Sequence, residues 1–418
     1  LEKYTDVSYG RSVASRLGLN RVVLALSVAR LADAIGNSIL FIIIPLYVVG
    51  TPAPWFAWPE PVRAGVLISM YGLVNACLQP FTGGLSDRMN RRKPFIQGGL
   101  FLMGIGTFSF SFASRFADLL VLRTLQGVGV ALTIPASMAV MARASTRQTR
   151  GGSMGIYSTS RMTGFAVGPL LGGLIYDHYG FNWAFYAATV LIFIALILVH
   201  VLVEEVPYAV KKPQKRPFRA FDRHLLNAGI LGAGLATFMM ASAFSMMTAL
   251  EPQFNQRLHE TALDFSVAFS ALMVSRLVLQ IPLGKLSDRF GRKPFIISGL
   301  ILMAVSTALL SEAATTEQLI WVRVLQGIGA AGIAAPTFAL AGDLAKVGGE
   351  GQQMSIVTMG FGLGIALGPL ITGVLAVSSF RLPFFLVGLL LLVSAWIIHE
   401  KVPETVPPRS GSASTETR

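Results

Sequence analysis

Arg30, Asp33 and Asn37 stand inside a long apolar stretch, at a spacing that places them on one face of a helix. A lone charge in the middle of a membrane-crossing helix costs roughly 2.5–3.5 kcal/mol. Asp33 must therefore be paired, hydrated or protonated for part of the time. Burial disfavours its charged form and the neighbouring Arg30 favours it, so the natural chemistry of the group is reversible proton binding. A static Asp33–Arg30 ion pair is the alternative. Two more cations lie deep in apolar sequence, Arg161 in STSRMTG and Arg276 in MVSRLVL, each without an acid one helical turn away. They either pair with acids on other helices or line a cavity and bind an anionic group.

The inventory for covalent or metal chemistry is thin. The one cysteine, Cys77, sits in an apolar segment, which excludes an intrachain disulfide and a cysteine metal cluster. His178, His200, His224, His259 and His399 fall at predicted helix ends or in loops. No G-x-x-x-x-G-K-S/T loop is present, so the chain has no ATPase of its own, and no nucleophile–base pair is visible. Neither an enzyme nor a cofactor is predicted, and uphill work would have to draw on an ion gradient.

The elements that position these residues follow from hydropathy. The 418 residues are 53% hydrophobic and 13% charged, with a mean hydropathy of +0.63; a soluble chain carries about 25% charged residues. Apolar spans are predicted over 22–49, 62–83, 95–114, 118–142, 152–176, 182–203, 225–249, 263–284, 295–312, 317–344, 353–377 and 382–399. Lipid offers no partner to backbone polar groups, so each span should be helical. This is an all-α polytopic membrane protein with 12 transmembrane helices. Pro45, Pro135, Pro169, Pro336 and Pro369 are read as kinks supported by neighbouring helices. The polar stretch up to Arg21 leads into a segment longer than a signal core, so no cleavable signal is predicted.

The net charge of +13 does not point to nucleic acid, because the basic residues are bunched in short loops. Loops after even-numbered spans carry Arg88, Arg91, Arg92 and Lys93, then Arg143, Arg147 and Arg150. Further along they carry Lys211 to Arg223, then Arg289, Arg292 and Lys293, and Lys346. Odd loops carry only Arg63, Arg115, Arg257 and Arg381. This asymmetry places the even loops and both termini in the cytoplasm. Trp55 and Trp58 stand in the first external loop, where an aromatic belt would lie.

The chain repeats itself. GGLSDRMNRRKPFI (83–96) matches GKLSDRFGRKPFI (284–296), LVLRTLQGVGVA (120–131) matches IWVRVLQGIGAA (320–331), and GFAVGPLLGG (164–173) matches GIALGPLITG (364–373). Ordered matches at one offset indicate a duplication of six helices. The predicted organisation is a cytoplasmic segment 1–21, a six-helix bundle 22–203, a basic cytoplasmic linker 204–224, a second bundle 225–400 and a disordered tail 401–418.

The first repeated loop contains Gly83, Asp87, Arg88 and Arg91, and its copy Gly284, Asp288, Arg289 and Arg292. It is expected to end a helix at a tight turn and set an acid among bases at the membrane surface, where the Asp can bind an Arg or a helix N-terminus. This loop resembles the signature between helices 2 and 3 of the major facilitator superfamily, and the resemblance runs through nearly the whole chain. It implies two pseudo-symmetric six-helix bundles and a loop that acts as a conformational latch, its Asp gripping the opposite bundle in the outward-facing state. The first copy has Asn90 where the family usually has Gly; Asn also accepts a left-handed turn.

A second signature places Leu119, Arg123, Gln126, Gly127 and Gly129 on span 4, repeated as Leu319, Arg323, Gln326, Gly327 and Gly329 on span 10. The resemblance gives Arg123 a part in proton coupling. A snorkelling interfacial Arg is the alternative, while the glycines point to close helix packing. On span 5, Gly164, Gly168, Pro169, Gly172 and Gly173 form a bare stripe that resembles the antiporter motif of drug:proton exporters, with a looser echo at Gly360, Gly364, Gly368, Pro369 and Gly373. The resemblance therefore implies a proton-coupled exporter of small amphiphilic molecules in the plasma (inner) membrane, monomeric and surrounded by lipid. It would be driven by the proton gradient and work by alternating access. Asp33, Arg30 and Arg123 would handle the proton, and Asn37, Asn75, Gln79, Arg161, Met240, Phe244 and Arg276 would line the substrate cavity. Arg161 and Arg276 keep open an exporter or flippase for an anionic amphiphile. A non-transporting receptor on the same scaffold is disfavoured by two intact latch loops.

Overall fold

A computed structural model of the protein describes residues 20–89, 91–144, 149–204, 227–344 and 350–406. These residues form twelve long helices: α1 (Arg21–Val49), α2 (Glu60–Met89), α3 (Lys93–Ser109), α4 (Phe116–Ala144), α5 (Arg150–Tyr179), α6 (Phe181–Leu202), α7 (Ala228–Ser245), α8 (Ala262–Phe290), α9 (Arg292–Leu310), α10 (Thr316–Asp343), α11 (Glu350–Ala376) and α12 (Leu382–Lys401). After α7 the chain passes through a 3-10 turn, Met246–Leu250, and resumes as a short helix, Glu251–Leu258. Asn20, Asn227, Thr261 and Thr315 start their helices by accepting a backbone N–H. Eleven spans among the described residues are long and apolar enough to cross a membrane. The helix that falls short is α5, whose Gly, Ser and Thr residues and Arg161 dilute its apolar character without shortening it.

Two expected boundaries move. The helices α2 and α8 run on to Met89 and Phe290, so Gly83 and Gly284 lie inside helices and make no turn. A Cβ at Gly83 would sit 3.4 Å from Pro135, and one at Gly284 3.2 Å from Ala335; both glycines are packing positions. The turn is made by Gly291, at φ +104°, a conformation that favours glycine. Asn90, its counterpart, lies outside the described residues, as do segment 1–19, most of the linker (205–226) and residues 407–418. Of the tail expected to be disordered from 401, Lys401 ends α12, Val402–Val406 are placed and Glu404 is bound to the start of α9.

Glycine decides which helices touch. A Cβ at Gly164 would meet Ile35 N and Leu31 O at 3.0 Å, and one at Gly172 would lie 3.2 Å from Ile39 Cα, so the stripe on α5 is filled by the backbone of α1. The echo on α11 does the same against α7: Gly364 lies against Ala241 and Gly368 against Ser242, at 2.7 and 2.8 Å. The last glycine of each stripe turns instead to the other half of the sequence. A Cβ at Gly173 would lie 2.7 and 2.8 Å from Ala262 O and Leu263 Cα of α8, and one at Gly373 3.3 Å from Val62 Cα of α2. With Gly72 against Ala366 at 3.0 Å, these form a seam joining α2 to α11 and α5 to α8. Among the described residues nothing lies within 4 Å of a Cβ built on Gly84 near the end of α2, Gly155 near the start of α5 or Gly362 in the middle of α11. The seam seals the halves at the ends of α5 and α11.

Candidate functional site

The spacing on α1 brings Arg30, Asp33 and Asn37 together as expected. Arg30 Nη1 forms an ion pair with Asp33 Oδ2, and Asn37 Nδ2 donates to Asp33 Oδ1 at 2.6 Å and to the Asp33 carbonyl at 2.9 Å. Asp33 is 2% exposed, so both of its oxygens are satisfied within one helix, as a buried carboxylate requires. Arg30 also lies over the ring of Tyr157 on α5, 5.9 Å from its centroid. Beside the pair is a cavity of about 10 Å³ lined by Tyr157, Thr133 and Ser137 as well as Arg30 and Asp33, about the room of one water.

Arg161 and Arg276 are not rescued by acids on other helices: no ion pair is recorded for either among the described residues. Arg161 lies between Phe165 of its own helix, at 5.8 Å, and Phe361 of α11, at 5.6 Å. It thus spans the two halves of the sequence. Arg276 is buried and donates to Gln280 Oε1 at 3.3 Å. Of Arg30, Arg161 and Arg276, Arg30 alone has an acid partner among the described residues. Asn75 Oδ1 is buried without a partner, and Gln79 is half-buried on the same helix. Met240 and Phe244 do not face an open cavity; they are 1% and 3% exposed. Phe244 packs on Phe269 at 5.2 Å, and Phe269 on Phe41 at 6.2 Å, in an apolar core shared by α1, α7 and α8.

Arg123 is not a snorkelling residue. It is 1% exposed, lies 5.5 Å from the Tyr71 ring and donates to Gln126 Oε1 at 3.1 Å, while Gln126 donates to Thr107 at 2.8 Å. The repeat reproduces the arrangement: Arg323 to Gln326 at 2.7 Å, Gln326 to Thr307 at 2.9 Å, and Phe269 as the facing ring. Nε and Nη2 of both arginines have no hydrogen-bond partner, a costly state for a buried cation. The glycines beside them admit neighbours, Gly127 the backbone of α2 and Gly129 that of α3.

At the second latch loop, Arg292 pairs with Asp288 at 2.9 Å and with Asp343 of α10 at 2.6 Å, and Thr405 donates to Asp343 at 2.9 Å. Glu404 accepts the N–H groups of Arg292 and Lys293 at 3.0 and 2.9 Å. Partial burial works against the Glu404 anion. The N–H groups of Val406, Arg292, Lys293 and Thr405 outweigh it and hold the carboxyl below its ordinary value. All of these partners belong to the C-terminal half, so the loop grips its own half in this state. Arg91 and Arg289 are exposed, and the side chains of Asp87 and Arg88 lie outside the described residues.

Sequence reasoning missed Glu251, a fully buried acid just past the predicted end of span 7. It also missed Tyr157 and Tyr71, the rings under Arg30 and Arg123. Arginine one turn above an aromatic on a neighbouring helix leaves no local spacing to read.

The sequence matches the family model described as Major Facilitator Superfamily twice, over residues 26–251 and 233–417. Multidrug resistance protein MdtG of Salmonella typhimurium strain LT2 is 30% identical over 272 residues, 63% of this chain and 66% of that protein. MdtG of Salmonella dublin matches over the same shares. The matched part is thus just under two thirds of these relatives' length. Among solved structures, a bacterial homolog of the human lysosomal transporter Spinster, in an inward-facing and occupied conformation, superposes with a TM-score of 0.75. It is 14% identical, over 91% of this chain and 96% of that one. The human organic anion transporter MFSD10 (TETRAN) gives a TM-score of 0.67 at 17% identity, over 90% of this chain and 99% of that one. At such identities the likeness is one of fold.

Proposed function

Since the chain belongs to the major facilitator superfamily, a family of transporters and not of enzymes, we propose that it is a proton-coupled exporter of small amphiphilic molecules. It is a multi-pass protein of the plasma (inner) membrane. Two six-helix bundles, 22–203 and 225–400, joined by the cytoplasmic linker 204–224, rock about a central site as a monomer, with the proton gradient as energy source and both termini in the cytoplasm. In that orientation the sealed seam faces outward and the state described is inward-facing. The MdtG relatives support drug-like substrates.

The observation that carries this reading is the placement of Asp33. Its carboxylate is held by Arg30 and Asn37, and Arg30 rests on Tyr157 of α5, the helix that seals against α8. A change in the seam therefore reaches the Arg30 contact and alters how firmly Asp33 holds a proton. Proteoliposomes under an imposed pH gradient test it: Asp33→Asn abolishes uphill export while downhill movement survives in part. An Asn variant that still concentrates substrate at the wild-type rate refutes it and leaves the Asp33–Arg30 pair a static one.

Arg161 and Arg276 favour a second reading, export or flipping of an anionic amphiphile, because neither cation has an acid partner among the described residues. Cationic and anionic amphiphiles offered side by side to the same proteoliposomes distinguish the two.

A further inference from the structure

Glu251 has no place in the coupling scheme above, yet it is 0% exposed and neither carboxyl oxygen has a hydrogen-bond partner. It is the first residue of the short helix Glu251–Leu258, in the turn where a carboxylate is favoured by the helix dipole, yet it accepts no backbone N–H. The preceding 3-10 turn is buried throughout.

The titratable groups whose electrostatics reach it are Asp177 and Tyr176, at the end of α5. Asp177 is exposed, and its Oδ2 accepts the N–H of Leu263, near the start of α8, at 2.9 Å. That bond, with Gly173 against Ala262 and Leu263, closes the seam between the halves. Among the described residues, no cation answers Glu251 from the other packed elements. The helix α1 has no charged residue after Asp33, and α11 has none from Gly351 onward. Arg63 of α2 donates to the Thr51 carbonyl, Asp264 of α8 accepts from Thr261 in a capping box, and Arg257 lies over the Phe380 ring. An ionised carboxylate in this place would be sealed from solvent, without hydrogen bond or counter-charge, and within the field of the Asp177 carboxylate. A protonated one carries none of those costs.

We propose that Glu251 is a second proton-binding site, protonated while α5 is sealed on α8 through Asp177 and Leu263, and ionised when that seam parts. On parting, the carboxyl O–H bond breaks, the proton passes to water entering from the outer side, and the carboxylate is left hydrated. The proposal rests on the orientation and alternating access put forward above and is independent of Asp33. A proton held in the sealed state alone makes sealing favourable at low pH. The ratio of sealed to parted molecules then falls by about tenfold per pH unit through the window in which the parted state has lost the proton.

The test uses the full chain in lipid nanodiscs, with the exposed Cys77 replaced by Ser and nitroxide labels at Tyr179 and Gln256, on either side of the seam. Distance distributions are recorded from acidic to alkaline pH. The wild type goes from the short to the long distance as pH rises, whereas Glu251→Gln stays short throughout. Glu251→Met, a second neutral variant, gives the same result if the Gln protein is unstable. A wild-type distribution that ignores pH, or a neutral variant that keeps the wild-type response, overturns the proposal. A response lost in Asp33→Asn but kept in Glu251→Gln overturns it while leaving the central coupling reading intact. Loss in Glu251→Gln with retention in Asp33→Asn is the expected pattern.

Discussion

Gly168→Ala adds one methyl group where the packing of α1 on α5 is closest. A Cβ there would overlap Ser38 Oγ and lie 2.6 Å from Ile35 O and 3.1 Å from Ile35 Cα. Non-bonded carbon contacts settle near 3.5–4.0 Å, so the two helices must part by roughly 1 Å or Ser38 must leave its 3.0 Å bond to Gly164 O. Overpacking of this kind costs about 1–3 kcal/mol, which shifts a two-state equilibrium by roughly ten- to a hundredfold. Ser38 and Ile35 stand within a turn or two of Asp33, so the displacement reaches the proposed proton site. Expression should stay near normal, because one methyl hardly changes the hydrophobicity that drives insertion. The expected result is proton-driven efflux in vesicles down by about tenfold, with a lowered melting temperature, and efflux abolished in Gly168→Leu. Gly155→Ala on the same helix, where nothing lies within 4 Å, should match the wild type. Full activity and unchanged melting of Gly168→Leu would refute the claim that this stripe is filled by α1.

Replacing Arg161 or Arg276 with Gln should weaken binding of anionic amphiphiles by at least about tenfold and neutral ones much less, measured by fluorescence titration; equal losses would assign these cations a purely structural part. Asp288→Asn, which removes one partner of Arg292, should leave substrate binding intact but shift the balance of inward- and outward-facing states, seen as spin-label distances across the basic face. An unchanged distribution would end the latch reading. Because the Glu404 carboxyl is held below its ordinary value of 4.5, the tail anchor should be complete above that pH and lost as pH falls below it. Glu404→Gln should speed hydrogen exchange at the Arg292 and Lys293 amides at neutral pH, and wild-type exchange rates in that variant would show the anchor to be idle.

The parts of the molecule that were legible in the sequence are those set by local spacing. Span positions follow from apolar length, and the Arg30–Asp33–Asn37 cluster from i−3 and i+4 neighbours on one helix. The Gly164 stripe predicts a backbone-close neighbour but cannot name α1. Glu251 was hidden because an acid followed by Pro252 imitates a helix end, whereas the chain only tightens into a 3-10 turn and continues. Arg161 meeting Phe361, and Met240 and Phe244 sinking into the core, depend on helices remote in sequence. Span 8 is predicted to end at Gly284, since a glycine inside a helix and one at its end look alike until the backbone is traced; the helix runs on to Phe290.

The stripes on α5 and α11 have a mechanical consequence. Each is clamped along most of its length to a partner in its own half and meets the other half along its later turns, α5 on α8 at Gly173 and α11 on α2 from Ala366 to Gly373. Such a helix works as a lever with a fixed grip and a free tip. When Gly173 lifts away from Leu263, the grip at Gly164, Gly168 and Gly172 drags α1 with it, and Asp33 rides on that helix. On the proposed scheme, the site at Asp33 and the seam at Gly173 are coupled by backbone contact between α5 and α1 as well as by Arg30 on Tyr157.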